Sequence, residues 1–142
     1  MKMFDIYYAN LSKNSVESEQ GGIRPVIIVQ NDIGNKYSPT VIVLPMTSEI
    51  KKSSMPTHCI LHKSNINGLK VDSMVLAEQI RVIDKSRLQQ YIGFLDNTKE
   101  QNEVINSYLA NITGKKKYNS VWSKIINMIF RLVKEGEYGN AA

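Results

Sequence analysis

Two apolar runs, each only four residues long, constrain this chain more than any other feature. Val26-Ile27-Ile28-Val29 follows Arg24-Pro25 and ends at Asn31-Asp32-Ile33-Gly34-Asn35, and Val41-Ile42-Val43-Leu44 follows Ser38-Pro39. Runs this short, rich in β-branched residues and hemmed by turn formers, fit strands covered on both faces and are too short for buried helices. They read as a central antiparallel pair, with Asn31–Asn35 turning the chain between them. Phe4–Leu11, with its aromatic and β-branched side chains, reads as a first strand. Thr57–Leu61 and Ser73–Leu76 are two more, separated by the polar segment Lys63–Gly68. Several short strands with frequent turns predict a small barrel or a strongly twisted sheet.

Helical signals come late. Asp84-Lys85-Ser86-Arg87-Leu88 has the form of a short Asp-capped helix, and Thr98-Lys99-Glu100-Gln101 matches a capping box. Beyond it Val104, Ile105, Tyr108, Leu109 and Ile112 recur at the spacing of one helix face, which should lie on the sheet. Lys115-Lys116-Lys117 then interrupts the pattern. Val121, Trp122, Ile125, Ile126, Ile129, Leu132 and Val133 form a stripe opposite Lys124, Arg131 and Lys134. That is an amphipathic helix of about four turns. It is expected to pack on the chain's own core or on a second subunit; the competing reading is a basic helix docked on an anionic membrane or a partner groove. The 142 residues suit one compact unit, divided here into residues 1–114 and a basic helical extension, 115–142.

Charge distribution limits the functional classes. Of the 18 Lys and Arg and 13 Asp and Glu, residues 1–114 hold 12 and 11, and the extension holds 6 and 2. The net +5 therefore lies mostly in the tail, and the first 114 residues would bind a polyanion only through a local groove. A lone cysteine, Cys59, and an N-terminus without the basic-then-apolar run of a secretory signal lead to the expectation of a reducing cytoplasm. No apolar stretch approaches the ~18 residues of a membrane span. There is no phosphate-binding glycine loop, dinucleotide fingerprint, Ser elbow or zinc-spaced Cys/His set, so nucleotide hydrolysis, dinucleotide redox and zinc chemistry drop out.

What stands out is a set of hydrogen-bonding groups at strand ends that could read base edges: Ser18-Glu19-Gln20, Asn31, Thr47-Ser48 and Glu78-Gln79. Arg24 sits between Gly21-Gly22 and the rigid Pro25, so its guanidinium would be held at a loop mouth. The fork of donors suits phosphate oxygens and stays charged at any working pH; the plainer reading is an Arg paired with a carboxylate to close the barrel. Thr47 would present its hydroxyl to the same mouth if the two central strands pair, or simply bond to backbone. His58 is more economically a structural residue than a general base, and Cys59 a small core residue. Glu78 and Arg81 would fall on opposite faces of Leu76–Arg81 unless that strand bends.

These residues spell a pattern. Ser18-Glu19-Gln20-Gly21-Gly22-Ile23-Arg24-Pro25-Val26, Gln30-Asn31-Asp32, Ser38-Pro39-Thr40, Pro56-Thr57-His58, Asp72-Ser73 and Glu78-Gln79-Ile80-Arg81-Val82-Ile83-Asp84-Lys85 closely resemble the MazF/PemK family of bacterial toxins. The resemblance runs in order over residues 5–112. It implies a mainly β, α+β fold: an SH3-like small β-barrel of the CcdB/MazF kind with flanking helices, here with an extra C-terminal amphipathic helix, and a homodimer. It implies metal-independent, sequence-specific cleavage of single-stranded RNA, an mRNA interferase without cofactor, restrained by a MazE-type antitoxin. Carried over by position, the catalytic pair falls on Arg24 and Thr47, and RNA-groove positions fall on Ser18, Glu19, Gln20, Ser48 and Gln79. Two departures are visible. The Arg-Gly-Asp usual at the first strand is Met3-Phe4-Asp5, so the glycine's turn must be made differently, and residues 115–142 have no counterpart. The alternative on the same barrel is a non-catalytic, CcdB-like toxin that inhibits a topoisomerase by contact, against which the intact Arg24 and Thr47 argue.

Overall fold

The computed structural model describes residues 1–12, 16, 19–115 and 120–135. Its elements run β1 (Asp5–Asn10), β2 (Ile23–Ile28), α1 (Asp32–Tyr37), β3 (Thr40–Thr47), β4 (His58–Leu61), β5 (Ser73–Leu76), β6 (Arg81–Asp84), β7 (Leu88–Phe94), α2 (Thr98–Thr113) and α3 (Ser120–Lys134). The sheet is antiparallel, in the order β4-β5-β3-β2-β1-β7, with β6 also on β3. The α+β class expected from the sequence is what forms, and the strand order is compatible with a small SH3-like barrel.

The central pair is β2 and β3, in register from Val26 opposite Pro45 to Ile28 opposite Val43. Both faces of this pair are covered. Val26, Ile28, Val41 and Val43 enter one cluster with Leu11 and Ile83, while Ile27, Leu44 and Met46 enter another with Ile6, Leu61 and Val75. Alternation into two cores explains why the runs are apolar without a break. β3 changes neighbours along its length: Thr40–Val43 pair with β6, and Met46–Thr47 with β5. Pro45 lies between the two stretches, where the missing N–H cannot serve a ladder on that side.

Three local expectations are corrected. Asn31–Asn35 does not merely turn the chain; Asn31 caps α1, its side chain accepting from Gly34 N at 2.9 Å. Asn and Gly serve turns and helix caps alike, so the composition misled. The cap of α2 is Asn97 and not Thr98: its side chain accepts from the amides of Lys99 and Glu100, while Gln101 reaches back to Leu95 O at 2.7 Å. Val104, Ile105 and Tyr108 of the expected stripe do pack on the core, but the stripe stops short of Ile112, which is 81% exposed, and Ser107 and Ala110 are buried beside it, with Asn111 donating to Ala77 O. Small residues admit close approach, and counting large apolar side chains alone passes over them. By contrast, the Asp-capped turn forms as expected: Asp84 accepts from Ser86 N ahead of a 3-10 turn over Lys85–Arg87. The sequence reading did not separate β6 and β7 as strands; β7 carries Gln89-Gln90 and lies at the sheet edge with bulges against β1.

The turn expected to need glycine is made by Phe4 in the left-handed region, at φ 71°. For an L-residue that conformation costs about 1–2 kcal/mol. It is held by Phe4 N donating to Ile28 O and by Phe4 O accepting from Leu95 N, and its ring is buried. Phe130 of α3 stacks on that ring, with centroids 6.0 Å apart and planes 15° from parallel. Lys124 and Arg131 are exposed as expected, but Ile129 of the apolar stripe is also 48% exposed, and Phe130, which lies off the stripe, makes the contact. The side chains of Val121, Trp122, Ile126, Val133 and Lys134 lie outside the described residues.

Candidate active site

Gly22 and Pro25 bracket the start of β2. Gly22 takes φ +76°, which few other residues adopt cheaply, and Pro25 presets its own φ. Between them Arg24 is partly buried, its Nε donating to Gly21 O at 2.6 Å. That bond uses Nε and leaves the two terminal nitrogens of the guanidinium without a partner among the described residues. Among the described residues no carboxylate pairs with Arg24, so the barrel-closing ion pair is not what holds it. Thr47 ends β3. The β2–β3 register, continued two steps beyond Val26 and Pro45, sets Thr47 across from Arg24. Side chains directly opposite on paired strands share a face. The hydroxyl of Thr47 accepts from Glu49 N at 3.1 Å, so its own proton remains free to donate.

Both residues line one open cavity of about 440 Å³, together with Ser48, Tyr8, Gly21 and Lys70. Of the residues singled out from the sequence, the fold brings Arg24, Thr47 and Ser48 together here. Glu19, Gln20 and Gln79 do not line this cavity, and Ser18 lies outside the described residues. Glu19 is exposed and its carboxylate accepts from Val16 N. Gln20 accepts an Arg81 Nη1 hydrogen bond on its carbonyl at 3.1 Å, while its amide oxygen is buried without a partner. Gln79 sits in a 3-10 turn, Ala77–Gln79, that bends the chain between β5 and β6.

That bend resolves the placement of Glu78 and Arg81. Arg81 donates to Leu11 O and Gln20 O, tying β6 to the loop before β2. Glu78 Oε1 lies 2.7 Å from Nε2 of His58, which is buried, and Nδ1 of His58 faces Lys52 O at 2.9 Å. His58 therefore anchors the loop that follows Thr47, and Cys59 beside it is buried in the core.

Sequence reasoning missed Tyr8, Lys70 and the rest of the wall from Leu69 to Ser73. That wall comes from the segment before β5, far along the chain from Arg24. Asn67 shapes it: buried, it accepts from Ser64 N and Leu69 N and donates to His62 O. Gly68 passes so close to β7 that an added Cβ would sit 1.8 Å from Ile92 O. Asp72 accepts from Lys63 N and contacts His62, and these bonds hold its carboxyl below the usual carboxylate range. The sequence signal for it was slight, a Lys set between the apolar Leu69 and Val71.

Comparison with known proteins gives concordant results. Residues 2–112 match the family model of the PemK-like, MazF-like toxin of type II toxin-antitoxin systems. Over 107 residues the chain is 50% identical to Endoribonuclease MazF of Staphylococcus saprophyticus, covering 75% of this chain and 87% of that one. Over 97 residues it is 50% identical to Endoribonuclease EndoA of Bacillus subtilis, covering 68% and 82%. In structure it is similar to MazF of Deinococcus radiodurans, with a TM-score of 0.65, 22% identity, and 80% and 96% of the two chains covered. It is also similar to a mycobacterial endoribonuclease in complex with its cognate antitoxin, with a TM-score of 0.63, 21% identity, and coverage of 80% and 95%.

Proposed function

This chain belongs to the PemK-like, MazF-like family of type II toxin-antitoxin toxins, and from that premise we propose that Arg24 and Thr47 carry out the cleavage of single-stranded RNA. It is an endoribonuclease toxin with an antitoxin as partner. The observation that carries the site assignment is the meeting of an unpaired guanidinium and a free hydroxyl proton in one open cavity.

RNA supplies its own nucleophile, the 2′-hydroxyl beside the scissile phosphorus. The protein's task is to align it in line with the leaving 5′-oxygen and to stabilise charge on the phosphoryl oxygens. The two terminal nitrogens of Arg24 meet two non-bridging oxygens, and Thr47 donates to one of them. Attack leaves a 2′,3′-cyclic phosphate and a 5′-hydroxyl, with the proton of the 2′-hydroxyl lost to solvent and one gained by the leaving oxygen. The high pKa of a guanidinium makes electrostatic stabilisation, and not proton donation, the role of Arg24. No step in this scheme calls for a metal ion. Ser48 lies at the same mouth, suited to an adjoining base edge; Ser18, Glu19, Gln20 and Gln79 are proposed to extend the groove, their support being the motif alone.

The substrate is messenger RNA, the partner a MazE-type antitoxin, and the working form a homodimer in the cytoplasm. Among the described residues no helix is long and apolar enough to cross a membrane. The toxin unit is taken as 1–114, supported by the family match ending at residue 112 and by Gly114 capping α2 in the left-handed conformation; 115–142 is its extension. The CcdB-like alternative is not favoured, since the chain's relatives are endoribonucleases.

The test is incubation of the purified protein with a long single-stranded RNA in EDTA, followed by mapping of cut sites and end chemistry. Discrete cuts bearing cyclic phosphate are expected, with Arg24→Ala and Thr47→Val each slowing cleavage about 100-fold or more. Undiminished cleavage by either variant would remove that residue from the mechanism.

A further inference from the structure

The cavity that holds Arg24 and Thr47 is lined by a second cation, Lys70. Lys70 is exposed there and, among the described residues, has neither a hydrogen-bond nor an ion-pair partner. Several other basic side chains of the body are engaged. Arg81 donates to the carbonyls of Leu11 and Gln20, Lys85 to that of Asn35, Arg87 to that of Asn10, and Lys51 pairs with Glu49. Among the described residues, Arg24 and Lys70 are the only charged groups lining the cavity, and no carboxylate lines it. A concave site with two cations, no anion and a wall of hydroxyls attracts a ligand carrying more than one negative charge.

The backbone beneath Lys70 is fixed. Leu69 is buried in the larger core, its amide held by Asn67 Oδ1 at 3.0 Å, and Gly68 is pressed against Ile92 O. The ammonium is thus a mobile tip on a rigid stem. Such a group suits a phosphate point contact better than the reading of a base edge, which needs a fixed fork.

Resting on the reading above, we infer that Lys70 binds a phosphate of the RNA strand next to the one held by Arg24 and Thr47. It raises affinity for any sequence and takes no part in choosing the cut site. A single-stranded polyanion that loses one such contact gives up about 0.7 units of slope in log affinity against log salt.

The test measures kcat and KM on a short single-stranded RNA spanning a mapped cut site, from low to high salt, for the wild type, Lys70→Met and Lys70→Arg. For Lys70→Met the expectation is a fivefold to tenfold rise in KM at low salt, estimated as about one charge-assisted contact, a salt slope shallower by about 0.7, and an unchanged cut site. Lys70→Arg should restore both KM and slope. If Lys70→Met keeps the wild-type slope, or if Lys70→Arg fails to restore it, the inference is overturned while the cleavage mechanism stands. If the wild type cleaves no RNA, both fall together.

Discussion

Phe130 of α3 stacks on Phe4 at a centroid distance of 6.0 Å, so the residue that turns the chain into β1 with a positive φ also meets the C-terminal helix. The two features belong together. A glycine would make the turn at no steric cost but would offer no ring for α3 to cover.

Replacing Phe130 with Ala should lower stability, and a double-mutant cycle with Phe4→Leu and Phe130→Leu should return a coupling of about 0.5–1.5 kcal/mol. Urea unfolding of the four proteins measures it. Phe4→Gly gains back about 1 kcal/mol of backbone cost but loses the burial of its ring, for a net loss. Phe4 precedes β1 at the end away from Tyr8 and the cavity, so cleavage per folded molecule should not change in any of them.

The His58 ring bridges Lys52 O and the Glu78 carboxyl, and because a carbonyl can only accept, Nδ1 donates to Lys52 O while Nε2 meets Glu78 Oε1 at 2.7 Å. Glu78→Gln keeps a bond, because an amide can donate to a neutral ring nitrogen. Glu78→Ala leaves that buried nitrogen bare and should cost about 1–3 kcal/mol. Thermal melts of the two variants should therefore separate, with Gln near wild type and Ala well below it; equal melts would show that the bond contributes nothing.

Asp72 titrates below its ordinary 3.8, chiefly because Lys63 N donates to it and secondly through its hydrogen bond with His62. Its folded pKa is lowered, so its contribution is present in full above the unfolded value and is lost as pH falls through the folded one. The stability gap between wild type and Asp72→Asn should hold steady down to about pH 4 and close below it. Denaturant titrations at pH 5, 4, 3 and 2 would show the closure; a gap that widened in acid would reverse the sign of the argument.

Gly68 and Gly22 both have positive φ, yet alanine should act very differently on them. At Gly22 nothing lies within 4 Å of the added carbon, so Gly22→Ala should fold at a cost of about 1 kcal/mol of backbone strain. At Gly68 the carbon would meet Ile92 O at 1.8 Å, and Gly68→Ala should cost about 3 kcal/mol or more or fail to fold. Soluble yield and melting temperature distinguish the two.

The strands that bury both faces were the plainest reading in the sequence, because alternation into two cores writes an unbroken apolar run. β7 left no such mark: its residues are mostly half exposed, and its place is fixed by pairing with β1 and by backbone packing against Gly68. Helix α1 was hidden by a cap residue that also serves turns. At the site, Arg24 was legible from its neighbours, since glycine and proline declare a held position. Thr47 was legible only through the pairing of two strands, and the partnering of Glu78 only through a 3-10 bend that interrupts the alternation. The wall carrying Lys70 is brought in by tertiary contact, about which local periodicity is silent.

β3 is hydrogen-bonded to β2, β5 and β6 and ends in Thr47. A strand shared by three neighbours exchanges its interior amide protons only when the whole molecule opens. The Thr47 hydroxyl, proposed above to act on RNA, is thus fastened to a part of the fold that is late to let go. Local melting offers no off-switch for it; while the chain stays folded, silence has to be imposed from outside, by something laid across the mouth.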